Sequence, residues 1–214
     1  MRLICAAVIE ELQALLADSA FQQESETLFR HRGKPVLAAA CGVGLVDFTG
    51  SFQVLLQNVK IDSALLTGTC GVYPESEAGR PIGTLVVPEK VSLGDLSEVE
   101  KSGYFPAPVV SSCRLAENLF VDYKAMAGGH CLTLATITAN ELTAGRIENY
   151  YQAHFEQMEA YAFARLCQLS RVRSAALFAV VNRVGSTGHK QWLANSGAGT
   201  AAAADLIRER FKLG

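Results

Sequence analysis

Residues 3–16 read LICAAVIEELQALL. The apolar run over residues 3–9 has strand length and ends at Glu10-Glu11, after which Leu12, Leu15 and Leu16 share one helical face, so the stretch predicts strand, turn and helix. The alternation recurs outward along the chain. Residues 35–41 form a second buried run closed by Gly42-Val43-Gly44, and Leu45, Phe48, Phe52, Leu55, Leu56 and Val59 follow at spacings of three and four. Residues 63–67 read as a strand entering Gly68-Thr69-Cys70-Gly71, and residues 83–88 as another. Downstream, Leu115 and Leu119 suggest a short helix, 131–137 a strand, 158–169 a helix, 175–181 a strand buried on both faces, and a last helix begins at Ser196 or Thr200. Residues 89–108 carry no readable period. No linker or repeat divides the chain, so residues 1–214 are expected to form a single domain.

Strands alternating with helices imply a three-layer α/β fold: a central, mostly parallel or mixed twisted sheet flanked by helices. Ligands of such sheets bind at the carboxyl ends of strands. The polar residues ending the apolar runs are therefore the candidate site wall: Glu10/Glu11, residues 67–71, residues 136–141, Glu159 and Asn182/Arg183.

Composition narrows the function. With 19 Lys+Arg against 21 Asp+Glu, a net charge of −2 and no basic block, the chain lacks the positive footprint that nucleic acid requires. At 214 residues, about 70% of the unfolded surface can be buried without staples. The six cysteines, Cys5, Cys41, Cys70, Cys113, Cys131 and Cys167, stand singly in apolar stretches at no metal or redox spacing, as small buried hydrophobes do. The opening run is too short for a signal peptide and no stretch is long enough to span a bilayer. A cytoplasmic protein with a small-molecule partner, no membrane association and no metal is expected.

Individual motifs carry less. Gly42-Val43-Gly44 lacks the third glycine of a dinucleotide loop, since Asp47 stands there, and reads as a tight strand-to-helix turn. Gly68-Thr69-Cys70-Gly71 leaves backbone N–H groups free for an oxyanion or a sugar oxygen. His31, His130, His154 and His189 have no partner at catalytic or metal spacing and read as surface or structural. Glu10, Glu11 and Glu159 each also suit the first turn of a helix.

In order, LICAAVIEELQALL, CGVG, LLTGTCGV, GTLVVPEKV and FEQMEAYAFA resemble the nucleoside phosphorylase and nucleosidase superfamily over most of the chain. The resemblance implies Glu11 as general base, Glu159 gripping the ribose hydroxyls, Met158 beneath the sugar, Thr69 and the Gly71 N–H holding water or a hydroxyl, no cofactor, and a homodimer. Three positions depart from the pattern. Leu66 stands where phosphorylases of the family carry a phosphate-binding arginine, which favours water over phosphate as acceptor. Ala160 replaces the usual glycine after the glutamate. Asn182 replaces the aspartate that protonates N7 in adenosine-type nucleosidases; its amide can donate to N7 and to a 6-oxo oxygen, a pattern suited to hypoxanthine.

VVNRVGSTGHKQW resembles the corresponding segment of futalosine hydrolases, which release hypoxanthine from futalosine in an alternative menaquinone route. Arg183, His189 and Lys190 then either meet the 5′ carboxylate of that substrate or form a solvated loop. Tyr150, Tyr151 and Phe155 either stack on the purine or belong to the core. The competing expectations are a methylthioadenosine/adenosylhomocysteine nucleosidase, a purine nucleoside phosphorylase and a non-catalytic nucleoside-binding member of the family.

Overall fold

The computed structural model describes residues 1–17, 20–115 and 128–213. The opening stretch is β1 (Arg2–Ala6) and α1 (Ile9–Leu16). Alternation along β1 sends Leu3 and Cys5 into one buried cluster and Ile4 and Ala6 into another, so the strand is covered on both faces. A hairpin of β2 (Phe21–Gln23) and β3 (Leu28–His31) leads into β4 (Val36–Ala40), α2 (Gly44–Asn58) and β5 (Ser63–Val72). Then come β6 (Leu85–Val86), β7 (Lys90–Leu93), α3 (Leu96–Val99), β8 (Ser112–Arg114) and β9 (His130–Thr133). The chain closes with α4 (Glu141–Tyr151), β10 (Phe155–Gln157), α5 (Ala160–Leu169), β11 (Arg173–Arg183) and α6 (Gly188–Phe211).

The strands form one mixed sheet in the order β2-β3-β4-β1-β5-β10-β9-β7-β8, with β11 on β5 and β6 on β11. β1 runs parallel to β4 and β5, and β11 parallel to β5, whereas β10 is antiparallel to β5. One face is covered by α2 and α5, where Phe48, Phe52 and Phe163 pack with ring centroids 5.4–6.5 Å apart. The other is covered by α1 and α6 through Leu12, Leu15, Ala203, Ala204, Ile207 and Phe211. Burying a large apolar side chain of this kind contributes about 1.5–3 kcal/mol. All six cysteines are buried and unpaired. This is the expected three-layer architecture.

Strand β5 organises the site. β11 lies along one edge of it from Ser63 to Val72, so its two other partners share the opposite edge. On that edge β1 pairs only as far as Leu66 and β10 only from Gly71, which opens a gap in the ladder at residues 67–70. A polar side chain must satisfy what the missing strand does not.

Several boundaries differ from expectation. The last helix begins at Gly188, not at Ser196 or Thr200. Its glycines suggest a break, but Gly199 serves close packing: a Cβ there would lie 2.8 Å from both Ala179 and Val181 on β11. The strand expected over 131–137 ends at Thr133, that over 83–88 shortens to Leu85–Val86, and the helix expected from Met158 starts at Ala160 after the short strand β10. Residues 89–108 contain β7 and α3, the latter capped by the Asp95 carboxylate accepting from the Ser97 N–H. Helix α4 was unforeseen; Asn140 caps it by accepting from the Thr143 N–H at 3.0 Å. Of the helix expected around Leu115 and Leu119, Leu115 follows β8 and Leu119 lies outside the described residues.

Candidate active site

At the carboxyl ends of β1, β5, β10 and β11 lies a cavity of about 420 Å³ lined by residues of every expected wall segment, among them Glu11, Thr69, Gly71, Met158, Glu159 and Asn182. Glu11 projects from α1 into the gap beside β5. Its Oε1 accepts from the Thr69 N–H at 2.9 Å and the Thr69 hydroxyl at 3.0 Å, and its Oε2 from the Ala7 N–H at 3.2 Å. The close approach requires glycine at position 68: φ there is +148°, and a Cβ would lie 2.6–2.8 Å from the carboxylate. Burial raises the Glu11 pKa to about 7, against the lowering effect of its Thr69 hydrogen bonds and with added repulsion from Glu159.

Glu159 stands at the entry to α5, with 2% of its surface exposed. Its Oε1 accepts from the Gly44 N–H at 2.6 Å and its Oε2 from the Gln157 amide. The CGVG turn thus delivers the first N–H of α2 to a carboxylate, a favourable pairing at a helix N-terminus. Gln157 accepts in return from the Glu159 and Ala160 N–H groups, both at 2.6 Å. Burial raises the Glu159 pKa, against its bonds to Gly44 and Gln157.

Asn182 reaches the cavity because β11 is irregular between Val180 and Asn182. Val180 pairs with Cys70 and Asn182, not Val181, pairs with Gly71. An extra residue of this kind re-aims the side chain that follows it. Arg183, expected to bind substrate, does not line the cavity: neighbours on a strand point to opposite faces, and its guanidinium sits 3.6 Å from Glu77. Thr69 lines the cavity, but its hydroxyl already donates to Glu11 and accepts from the Trp192 indole at 3.1 Å, so it orients the carboxylate.

Other expectations divide. Tyr151 bonds to Glu98 and Asp95, Tyr150 packs on Tyr151, and Phe155 is in the core, so none of the three faces the cavity. His31, His130 and His154 are bonded to neighbouring chain segments, whereas His189 lines the cavity, stacked on Trp192. Sequence reasoning missed Glu156 and Gln157, whereas Thr138 falls within the expected wall segment 136–141; the register of β10 that brings Glu156 to the wall has no signature in the sequence. Among the described residues lining the cavity, none is Lys or Arg. Among the described residues, no group of three or more His, Cys, Asp or Glu is arranged to hold a metal ion, and no helix is long and apolar enough to cross a membrane.

The fold is shared with solved structures. A futalosine hydrolase mutant of Helicobacter pylori superposes with a TM-score of 0.85 at 15% identity, covering 99% of this chain and 98% of that one. A mutant of the H. pylori 5′-methylthioadenosine nucleosidase with 5′-methylthioadenosine in its active site gives 0.85 at 15% identity, with 99% and 97% covered. The 5′-methylthioadenosine/S-adenosylhomocysteine nucleosidase of S. pneumoniae with a transition-state inhibitor gives 0.83 at 16% identity, with 100% and 99% covered. No curated protein sequence matches the chain. A family profile described as Phosphorylase superfamily matches residues 3–209, and the chain belongs to that superfamily of nucleoside phosphorylases and nucleosidases.

Proposed function

We propose that the cavity hydrolyses the N-ribosidic bond of a purine nucleoside, and that the nucleoside is futalosine, releasing hypoxanthine for the alternative menaquinone route. The observation carrying this reading is the convergence of Glu11 and Glu159, with Met158 beside them, on one cavity. Cleavage builds positive charge on the ribose and negative charge on the departing base, so the site must steady both while bringing water to C1′. Glu11, poised near pH 7, takes a proton from the water as it attacks. Glu159 accepts the ribose hydroxyls and Met158 packs beneath the sugar. One hydrogen of the Asn182 amide is donated to the Arg183 carbonyl at 3.1 Å, and the other is donated to the N7 and 6-oxo edge of the departing purine.

Water is favoured over phosphate by the absence of Lys and Arg from the described lining, and by Leu66, which is fully buried and offers no counter-charge. The 5′ benzoate then meets His189 and Trp192 at the rim, since Arg183 is engaged elsewhere. The homodimer belongs to the same reading, and light scattering checks it.

The test is to incubate the protein with futalosine, inosine and methylthioadenosine, each with and without phosphate, and to separate the released bases. Hypoxanthine from futalosine without phosphate is expected. Rapid adenine release from methylthioadenosine, strict dependence on phosphate, or nucleoside binding without turnover over hours would each overturn it.

A further inference from the structure

Trp192 stands at the rim of the cavity and makes a contact that the hydrolysis derived above does not use: its indole N–H donates to the Thr69 hydroxyl at 3.1 Å. The same hydroxyl donates to Glu11 Oε1 at 3.0 Å. A threonine hydroxyl has a single hydrogen, a rotor to aim it and two lone pairs to accept with, whereas an indole N–H can only donate. A hydroxyl that receives the indole hydrogen cannot turn its own hydrogen that way and points it at the carboxylate. Each bond in such a chain polarises and strengthens the next. Indole, hydroxyl and carboxylate thus form a directional relay from the rim to Glu11.

Strand β11 puts the indole in place. Its irregularity leaves Val181 without a pairing partner on β5, and α6 takes up the carbonyl: the Asn195 amide donates to it at 2.9 Å. On the other side of Asn182, the Gln191 side chain accepts from the Arg183 N–H, also at 2.9 Å. Trp192 lies between these two anchors. Gly188 lets the helix begin close to the strand, since a Cβ there would lie 3.0 Å from the Arg183 carbonyl and 3.2 Å from the Asn182 amide nitrogen. His189, one turn earlier on α6, stacks on the indole with ring centroids 6.1 Å apart and planes 10° apart, which restricts its rotation.

We propose that Trp192 is a positioning residue for the general base, acting through Thr69: its indole N–H holds the hydroxyl in the orientation that donates to Glu11 and keeps that carboxylate a proton acceptor. The inference deepens the nucleosidase reading, on which the role of Glu11 rests, and gives the indole a task besides any contact with the 5′ group. The other titratable groups facing the cavity are Glu10 on α1, Cys70 on β5, Glu156 on β10 across Gly71 from Asn182, Glu159 at the entry to α5 and His189 on α6. All of them are retained when the indole alone is exchanged.

The test is to titrate Glu11 in the intact protein by carbon-13 NMR of its carboxyl carbon, identified by its loss in Glu11→Gln. Trp192→Phe keeps a ring for His189 and removes the N–H. The ionised fraction of Glu11 at pH 6 is expected to fall about threefold, and the acid limb of base release from inosine, which carries only a hydroxyl at 5′, to move to higher pH with it. In a Thr69→Val background the same exchange is expected to have no effect, because the indole acts only through the hydroxyl. An unmoved Glu11 titration in Trp192→Phe, or a shift of equal size in the Thr69→Val background, would overturn the proposal. If Trp192→Phe does not fold, the parent decides: Trp192 is the single tryptophan of the chain, and its indole N–H resonance is expected to follow the Glu11 titration in the parent but not in Thr69→Val or Glu11→Gln. A resonance that titrates alike in all three would also overturn it. A working relay in a protein that releases no base removes the nucleosidase reading alone, and base release with an unmoved Glu11 titration removes the relay alone.

Discussion

On the proposed reading the cavity has a sugar end and a base end, and the carboxylates at the two are held by different means. Glu11 and Glu159 are anchored largely by backbone N–H groups, those of Ala7, Thr69 and Gly44. Glu156 is anchored mainly by side-chain hydroxyls, those of Tyr73 and Thr138, with one N–H. Backbone donors are set by the gap in the β5 ladder and by the start of α2, and no substitution removes them without disturbing the fold. Hydroxyls can be exchanged one residue at a time. On the proposed reading, bond breaking is built into the architecture, whereas the hold on Glu156 rests on replaceable side chains.

If that contrast holds, damage at the sugar end is the more severe. Glu11→Gln and Glu159→Ala are each expected to lower turnover at least about 10²-fold, measured as base release per enzyme. A near-parental rate in either refutes its assigned role. Gly68→Ala comes next: its new Cβ meets the Glu11 carboxylate in a backbone conformation unfavourable to alanine. A displacement of about 1 Å costs about 10²-fold in rate, and the strain costs about 1–3 kcal/mol in stability, read from urea unfolding. At the base end, Tyr73→Phe and Thr138→Val each remove one hydroxyl from Glu156 and are expected to raise KM by about 10-fold or less with kcat little changed. A larger loss of kcat there than at Gly68 would break the comparison.

The same contrast explains what could be read from the chain alone. Glu11 and Glu159 were legible because each follows a recognisable local pattern, an apolar run ending in Glu-Glu and a Met-Glu pair ahead of an apolar helix. Their partners lie beside glycines that the sequence also marks, in the CGVG turn and in the GTCG stretch of β5. Glu156 was not legible, because its place depends on β10 pairing with Gly71 from 85 positions away, and three residues of strand leave no period to detect. Asn182 was identified by position, but the irregularity that aims it, and that turns Arg183 toward Glu77, arises from pairing with β5. Helix α6 was misplaced for a similar reason: Gly199 looks like a breaker until β11 is seen against it.

The smaller effects concern pH. With a pKa of about 7, Glu11 is ionised above neutrality, so activity is expected to level off above pH 7 and to fall toward tenfold per unit below it. The Thr69 hydroxyl bond favours the ionised form, and Thr69→Val should move that limb to higher pH. An unmoved limb would mean that another group sets it.

Stability should run the opposite way to activity. Unfolded, Glu11 loses its proton near its ordinary value of 4.5, but folded it holds the proton to about 7, so between these values the native state binds the extra proton and its stability declines as pH rises. Glu11→Gln removes this contribution along with the repulsion from Glu159. Its melting temperature should match the parent's near pH 4.5, rise above it as pH climbs to 7, and keep a constant margin beyond. A variant less stable than the parent at pH 8 would mean that the backbone donors around Glu11 repay its burial in full, and the sugar end would then carry no stored cost for its chemistry.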